Sequence, residues 1–173
     1  MKILKTDIRL INIKKERFII GQIRKALEEY PIVMITGPRK VGKTTALLQL
    51  AVNDETAEYI DCGITGDVNY LEKIVHEGQE GLYLIDEFQK LKRHSDWIQA
   101  FHNISADNTR IKFVITGSIA AYTTFVSRVK GGGRNRLLHL PYITYLEYLY
   151  FMDVIKSYDV DLSKVEYGDS FLD

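Results

Sequence analysis

The chain has 173 residues, of which 46% are hydrophobic and 27% charged. That is enough apolar material for one packed domain and too much for global disorder. Lys plus Arg and Asp plus Glu each number 23, so a uniformly basic chain built to coat nucleic acid is excluded. One cysteine, Cys62, rules out an intrachain disulfide, and four scattered histidines offer no zinc-ligand spacing. No apolar run reaches the length of a membrane span, and charges interrupt the start MKILKTDIRL too often for a secretion signal. A reducing, cytoplasmic setting is the expectation. The neutral total hides a gradient: six basic residues against two acidic ones over 1–17, and six acidic against two basic over 153–173. Opposite local charge at the two ends suits a face against another domain or chain.

In chain order, residues 17–29 carry apolar residues at helical spacing (Ile20, Ile23, Leu27). Residues 31–36, PIVMIT, form a continuous β-branched and apolar run, the mark of a strand buried on both faces. A helix is predicted over 43–51, a short strand over 57–61 and a helix over 67–77 that ends at Gly78. GLYLID, 81–86, is a second buried strand. Ser95 is placed to cap a helix with Trp97, Phe101 and Ile104 on one face. RIKFVIT, 110–116, is another strand, 136–143 one more, and an aromatic helix follows from about Thr144. Strands alternating with helices predict an α/β fold with a mainly parallel sheet covered on both faces. The expected organisation is a basic segment over 1–16, a core over 17–156, and an acidic linker or the start of a further domain over 157–173.

Residues 37–44 read Gly-Pro-Arg-Lys-Val-Gly-Lys-Thr, a full match to GxxxxGK[ST]. Gly37 and Gly42 let the backbone turn and approach phosphate oxygens. The loop amides of Pro38, Arg39, Lys40 and Val41 and the start of the next helix then form an anion cradle, proline contributing only its shape. Lys43 can reach β- and γ-phosphates, the Thr44 hydroxyl can ligate Mg²⁺, and Thr45 completes the turn. The buried strand before the loop and the helix after it (Leu47, Leu48, Leu50) are the context the mechanism requires.

Asp86 and Glu87 end the apolar strand that follows. A carboxylate there can hold Mg²⁺, and its neighbour can orient an attacking water. Asp86 is assigned to the metal and Glu87 to the water, which favours hydrolysis over transfer to a small acceptor. Thr116 and Ser118 end the next strand, and either could sense the γ-phosphate if that strand lies between the other two.

These segments together resemble a specific family. GPRKVGKTT, LYLIDEFQK followed by Trp97, FVITGS and GGRNRLLHLPYITYLEYL, in that order, look like the bacterial and archaeal AAA-type ATPases with GPRQVGKTT, DEIQK and ITGS segments. The match runs from about Arg17 to Tyr150. It departs at Lys40, where the family has Gln, at the stretch from Leu91 to Trp97, and at Tyr142 to Tyr145. The resemblance implies a three-layer αβα P-loop NTPase with an additional strand, a catalytic glutamate and sheet order 5-1-4-3-2. It also implies ATP hydrolysis with Mg²⁺, driving an output domain that is winged-helix-like or nuclease-like in family members and is supplied here by truncated sequence or another chain. The alternatives are a nucleotide-gated binding module with little turnover and a small-molecule kinase. The lack of a guanine-reading Asn/Thr-Lys-x-Asp motif leans towards ATP over GTP.

Arg134, after Gly131 to Gly133, aligns with the family's GR pair and could act as an arginine finger towards a neighbouring copy, with Arg136 and Arg128 as competitors. Arg39 could contact nucleotide or a partner. Lys90, Lys92, Arg93 and His94 form a basic cluster that fits either a nucleic-acid backbone or a solvated loop. Tyr142, Tyr145, Tyr148, Tyr150 and Phe151 divide between the core and a face for a partner domain or self-association. Cys62 reads as a small buried residue.

Overall fold

The computed structural model describes residues 15–117 and 135–156. It contains α1 (Ile19–Glu29), β1 (Ile32–Thr36), α2 (Lys43–Asn53), β2 (Ala57–Asp61), α3 (Thr65–Glu77), β3 (Gly81–Asp86), a 3₁₀ turn (Phe88–Lys90), α4 (His94–Asp107), β4 (Ile111–Thr116), β5 (Asn135–His139) and α5 (Tyr145–Phe151). The strands form one sheet in the order β2-β3-β4-β1-β5, and every pairing is parallel. This is the predicted order, read from the other edge, and β4 lies between β1 and β3 as the additional-strand arrangement requires.

Period-two alternation explains how the sheet divides the core. Val33, Ile35, Leu84 and Val114 point to one face, where they pack with Ile20 and Ile23 of α1 and Leu47 and Leu50 of α2. Ile32, Met34, Ile85, Phe113 and Ile115 point to the other, against Leu71 and Ile74 of α3 and Ile98 and Phe101 of α4. Phe101 stacks on Phe113 with ring centroids 4.4 Å apart. β1 is buried at all five positions, which is why its sequence is continuously apolar rather than alternating. The result is three layers, αβα.

Local signals account for most boundaries. Gly78 closes α3 in the left-handed region at φ 66°. Thr144 caps α5 by accepting from the Glu147 amide. Ser95 is not the cap of α4: Arg93 holds that position at φ 55°, and the Ser95 hydroxyl, inside the first turn, instead donates to Asp96 Oδ1 at 3.3 Å. β5 ends at His139, short of the predicted 136–143, because its partner β1 ends at Thr36; the last bond between them runs from the Leu140 amide to the Thr36 carbonyl at 2.7 Å. Among the described residues, no helix is long and apolar enough to cross a membrane.

Parallel strands put the carboxyl ends of β1, β3 and β4 along one rim. The chain leaves β1 for β2 at the far edge and returns to β5 on the other side of β1, so the order reverses at β1. In open α/β sheets such a reversal opens a crevice beyond the carboxyl ends of the strands.

Candidate functional site

The loop of residues 37–44 sits at this crevice. Gly37 at its start is required by close approach: a Cβ there would lie 2.2 Å from the Leu140 carbonyl oxygen. Gly42 is required by conformation, at φ 96°, and forms the cap of α2. Lys40 also takes positive φ, 62°. Its side chain and that of Arg39 are exposed, whereas Val41 is buried. α2 begins at Lys43, so the unpaired amides of its first turn and the positive end of its dipole face the loop.

Lys43 folds back over this bend. Its Nζ donates to the carbonyl oxygens of Gly37 at 2.8 Å and Pro38 at 2.7 Å. Burial lowers its pKa from the ordinary lysine value, opposed by the charges of Glu87 and Asp86. The ammonium is thus held within the loop by two backbone carbonyls.

β3 delivers Asp86, which is 3% exposed. Thr44 Oγ1 donates to its Oδ2 at 2.7 Å, and the Tyr59 hydroxyl donates to the same oxygen at 2.8 Å. Its Oδ1 accepts from the Glu87 amide at 3.0 Å and from the Thr116 hydroxyl. A buried carboxylate needs such donors to offset lost hydration. The Thr44 hydroxyl and the Asp86 carboxylate are hard oxygen donors side by side, and they fit Mg²⁺. Among the described residues no group of three or more His, Cys, Asp or Glu side chains could cage a metal. An ion here would therefore complete its shell with water and phosphate oxygens, the usual habit of Mg²⁺.

Glu87 follows in the left-handed region, φ 55° and ψ 39°, a conformation that costs a non-glycine residue on the order of 1 kcal/mol. The strain is braced: its amide bonds to Asp86 Oδ1 and, at 3.2 Å, to Thr116 Oγ1, and fully buried Phe88 anchors the turn after it. Its side chain is about two-fifths exposed. Gln89 Nε2 donates to Oε2 at 2.7 Å, and Lys90 Nζ lies 3.9 Å from the same oxygen.

Loop, Lys43, Thr44, Asp86, Glu87 and Thr116 therefore converge at one end of the sheet. Thr116, 1% exposed, stands on the strand between β1 and β3 but spends its hydroxyl on Asp86 and Glu87 rather than presenting it to the crevice alone. Ser118, Arg128, Gly131 to Gly133 and Arg134 lie outside the described residues. Arg136 is exposed on β5. Lys90, Lys92 and Arg93 border a cavity of about 750 Å³ whose wall includes half-buried Trp97, and the side chain of His94 lies outside the description. Cys62 is buried, and burial with the charges of Asp61, Asp86 and Asp67 pushes its thiol up to about 12.

Sequence reasoning missed Tyr59, Gln89 and the pair Arg17–Glu147. No spacing points to Tyr59: the register sets Asp61 opposite Asp86 and Tyr59 opposite Leu84, and the Tyr59 hydroxyl reaches the carboxylate from two residues back along β2. A second cavity, of about 510 Å³, lies behind the loop and is lined by Lys15, Gly42, Thr45, Gln49, Ile143 and Phe151 among others, a size typical of small-molecule sites.

The five-stranded parallel sheet with its inserted strand, carrying GxxxxGK[ST] at the order reversal, defines a P-loop NTPase fold. A family profile described as an AAA domain matches residues 29–149, and the chain belongs to that family. Among solved structures it is similar to a Walker-type ATPase of Pyrococcus abyssi, with 16% identity and a TM-score of 0.60 over 83% of this chain and 58% of that one. It is also similar to a DNA replication initiation factor, with 20% identity and a TM-score of 0.50 over 77% of this chain and 48% of that one. At such identities the likeness is one of fold, and the chain spans about half the length of these structures. Among curated proteins none matches it.

Proposed function

We propose that this domain binds ATP with Mg²⁺ and hydrolyses it to ADP and phosphate. The observation that carries the reading is the Thr44 hydroxyl 2.7 Å from the Asp86 carboxylate, at the mouth of a loop whose lysine donates to two carbonyls that a phosphate can replace. The loop amides of residues 39–44 and the Lys43 side chain would take the phosphates, with the Lys43 ammonium exchanging the Gly37 and Pro38 carbonyls for phosphate oxygens. Thr44 and Asp86 would hold Mg²⁺, which when bound neutralises phosphate charge. The open cavity behind the loop, bordered by Thr45, Gln49 and Ile143, would offer space for the nucleoside.

Glu87 would orient water for attack on the γ-phosphorus. The water oxygen bonds to phosphorus, the bond from phosphorus to the β–γ bridging oxygen breaks so that ADP leaves with that oxygen, and the Glu87 carboxylate takes the water's proton. Thr116 positions Glu87 through the latter's amide. The output is a change at the rim of β4 and β5 and around Arg134, passed to a further domain or to another copy of the chain, in which Arg134 or Arg136 would neutralise charge on the transferring phosphate.

A second reading, a nucleotide-gated module with little turnover, draws support from the hold of Gln89 and Lys90 on the Glu87 carboxylate. Glu87→Gln separates the two. Under hydrolysis, nucleotide affinity stays and phosphate release falls by about a hundredfold or more. Unchanged release removes Glu87 from the mechanism.

A further inference from the structure

Arg17 lies just ahead of α1 and is 6% exposed, and Glu147 lies on α5 with 0% exposure. The guanidinium grips the carboxylate with two prongs, Nε to Oε1 at 2.6 Å and Nη2 to Oε2 at 2.9 Å. Oε1 also accepts from the Phe18 amide at 2.9 Å. The third nitrogen, Nη1, donates to the Val41 carbonyl inside the phosphate loop, and Nη2 reaches the Pro141 carbonyl at 3.4 Å. The residue after Val41 is equally close: a Cβ on Gly42 would stand 3.0 Å from Nη1. The hydrolytic chemistry makes no use of this pair. A buried ion pair is no better for stability than well-packed apolar groups, so stability alone does not account for it.

We propose that Arg17 and Glu147 are positioning residues that set the phosphate loop and couple it to α5. The Val41–Gly42 peptide is planar and trans, so its C=O and N–H point in opposite directions. Fixing the Val41 oxygen on Arg17 therefore fixes the Gly42 N–H, one of the loop's donors. The same guanidinium is clamped to α5, whose outer face carries Tyr145 and Tyr148, exposed by 74% and 51%. Filling the loop with phosphate tightens the Val41 peptide, and through Arg17 it seats Glu147 and the helix that bears it. Coupling of this kind is reciprocal: whatever holds α5 in place raises nucleotide affinity by the same factor. The inference rests on the nucleotide-binding reading above.

The test has two readouts, affinity for a fluorescent ATP analogue with Mg²⁺ and hydrogen exchange of the amides in 145–152. In the unaltered protein, the analogue should slow exchange in α5. Binding without any change in α5 overturns the inference and leaves nucleotide binding intact, whereas failure to bind at all overturns both. Arg17→Lys keeps the charge beside Glu147 but cannot serve two carboxylate oxygens and Val41 together. Affinity should fall about tenfold and the α5 response should vanish, which a merely structural role would not produce. Unchanged affinity, or an α5 response that persists, contradicts the proposal. Should that variant fail to fold, the exchange measurement on the unaltered protein still decides the matter: slower exchange in α5 on binding supports the coupling, and binding that leaves α5 unchanged refutes it.

Discussion

Thr116→Val changes shape very little and removes one hydroxyl from the centre of the site. That hydroxyl donates to Asp86 Oδ1 and accepts the Glu87 amide at 3.2 Å, and at 1% exposure no water replaces it. A hydrogen bond to a charged, buried acceptor contributes roughly 1.5–3 kcal/mol, so the variant should lose about 2 kcal/mol. For a domain of this size that is a fall in melting temperature of about 6 °C. Turnover should suffer more than affinity, because the left-handed backbone at Glu87 loses one of its two braces while the phosphate loop is untouched. Thermal melts and phosphate-release kinetics on Thr116→Val and Thr116→Ser form the assay, with serine expected to restore most of both properties. A valine variant with normal melting temperature and turnover would refute the role given to Thr116.

Two further outcomes follow from other parts of the site. Gly37→Ala drives a methyl group to within 2.2 Å of the Leu140 carbonyl, so the loop or β5 must move, and calorimetric titration should find nucleotide binding abolished while circular dichroism retains the α/β signal. Cys62 is pushed from an ordinary 9.0 up to about 12 by burial and by Asp61, Asp86 and Asp67, so the unfolded thiol ionises first. The resulting stabilisation is fully present below about pH 9 and is lost as pH rises towards 12. Iodoacetamide at pH 8 should accordingly leave Cys62 unmodified until denaturant is added, and rapid labelling of folded protein would contradict the placement.

Much of this architecture is legible in the chain because the deciding signals are local. The run at 32–36 is apolar throughout because β1 has helices on both faces, and GLYLID predicts β3 to the residue. Gly78 and Thr144 mark helix ends by mechanisms that act within one turn. Where two local signals compete, sequence reading loses its hold: Ser95 stands two residues after the actual cap, because Arg93 has already turned the chain with a left-handed backbone. Long-range partners leave no spacing to read. Thr144-x-x-Glu147 has the form of a capping box, yet Glu147 sends its carboxylate across to Arg17, 130 positions away. Tyr59 meets Asp86 only because β2 and β3 pair in register. The grouping of Lys43, Thr44 and Asp86 was foreseeable because a phosphate loop fixes in advance which residue types must meet it.

The most direct measurement is calorimetric titration of the protein with ATP, in the presence and absence of Mg²⁺, alongside Lys43→Ala. Stoichiometric uptake that needs the metal and collapses in the alanine variant is the outcome predicted here. Well-folded protein that takes up no nucleoside triphosphate under any of these conditions would contradict the account.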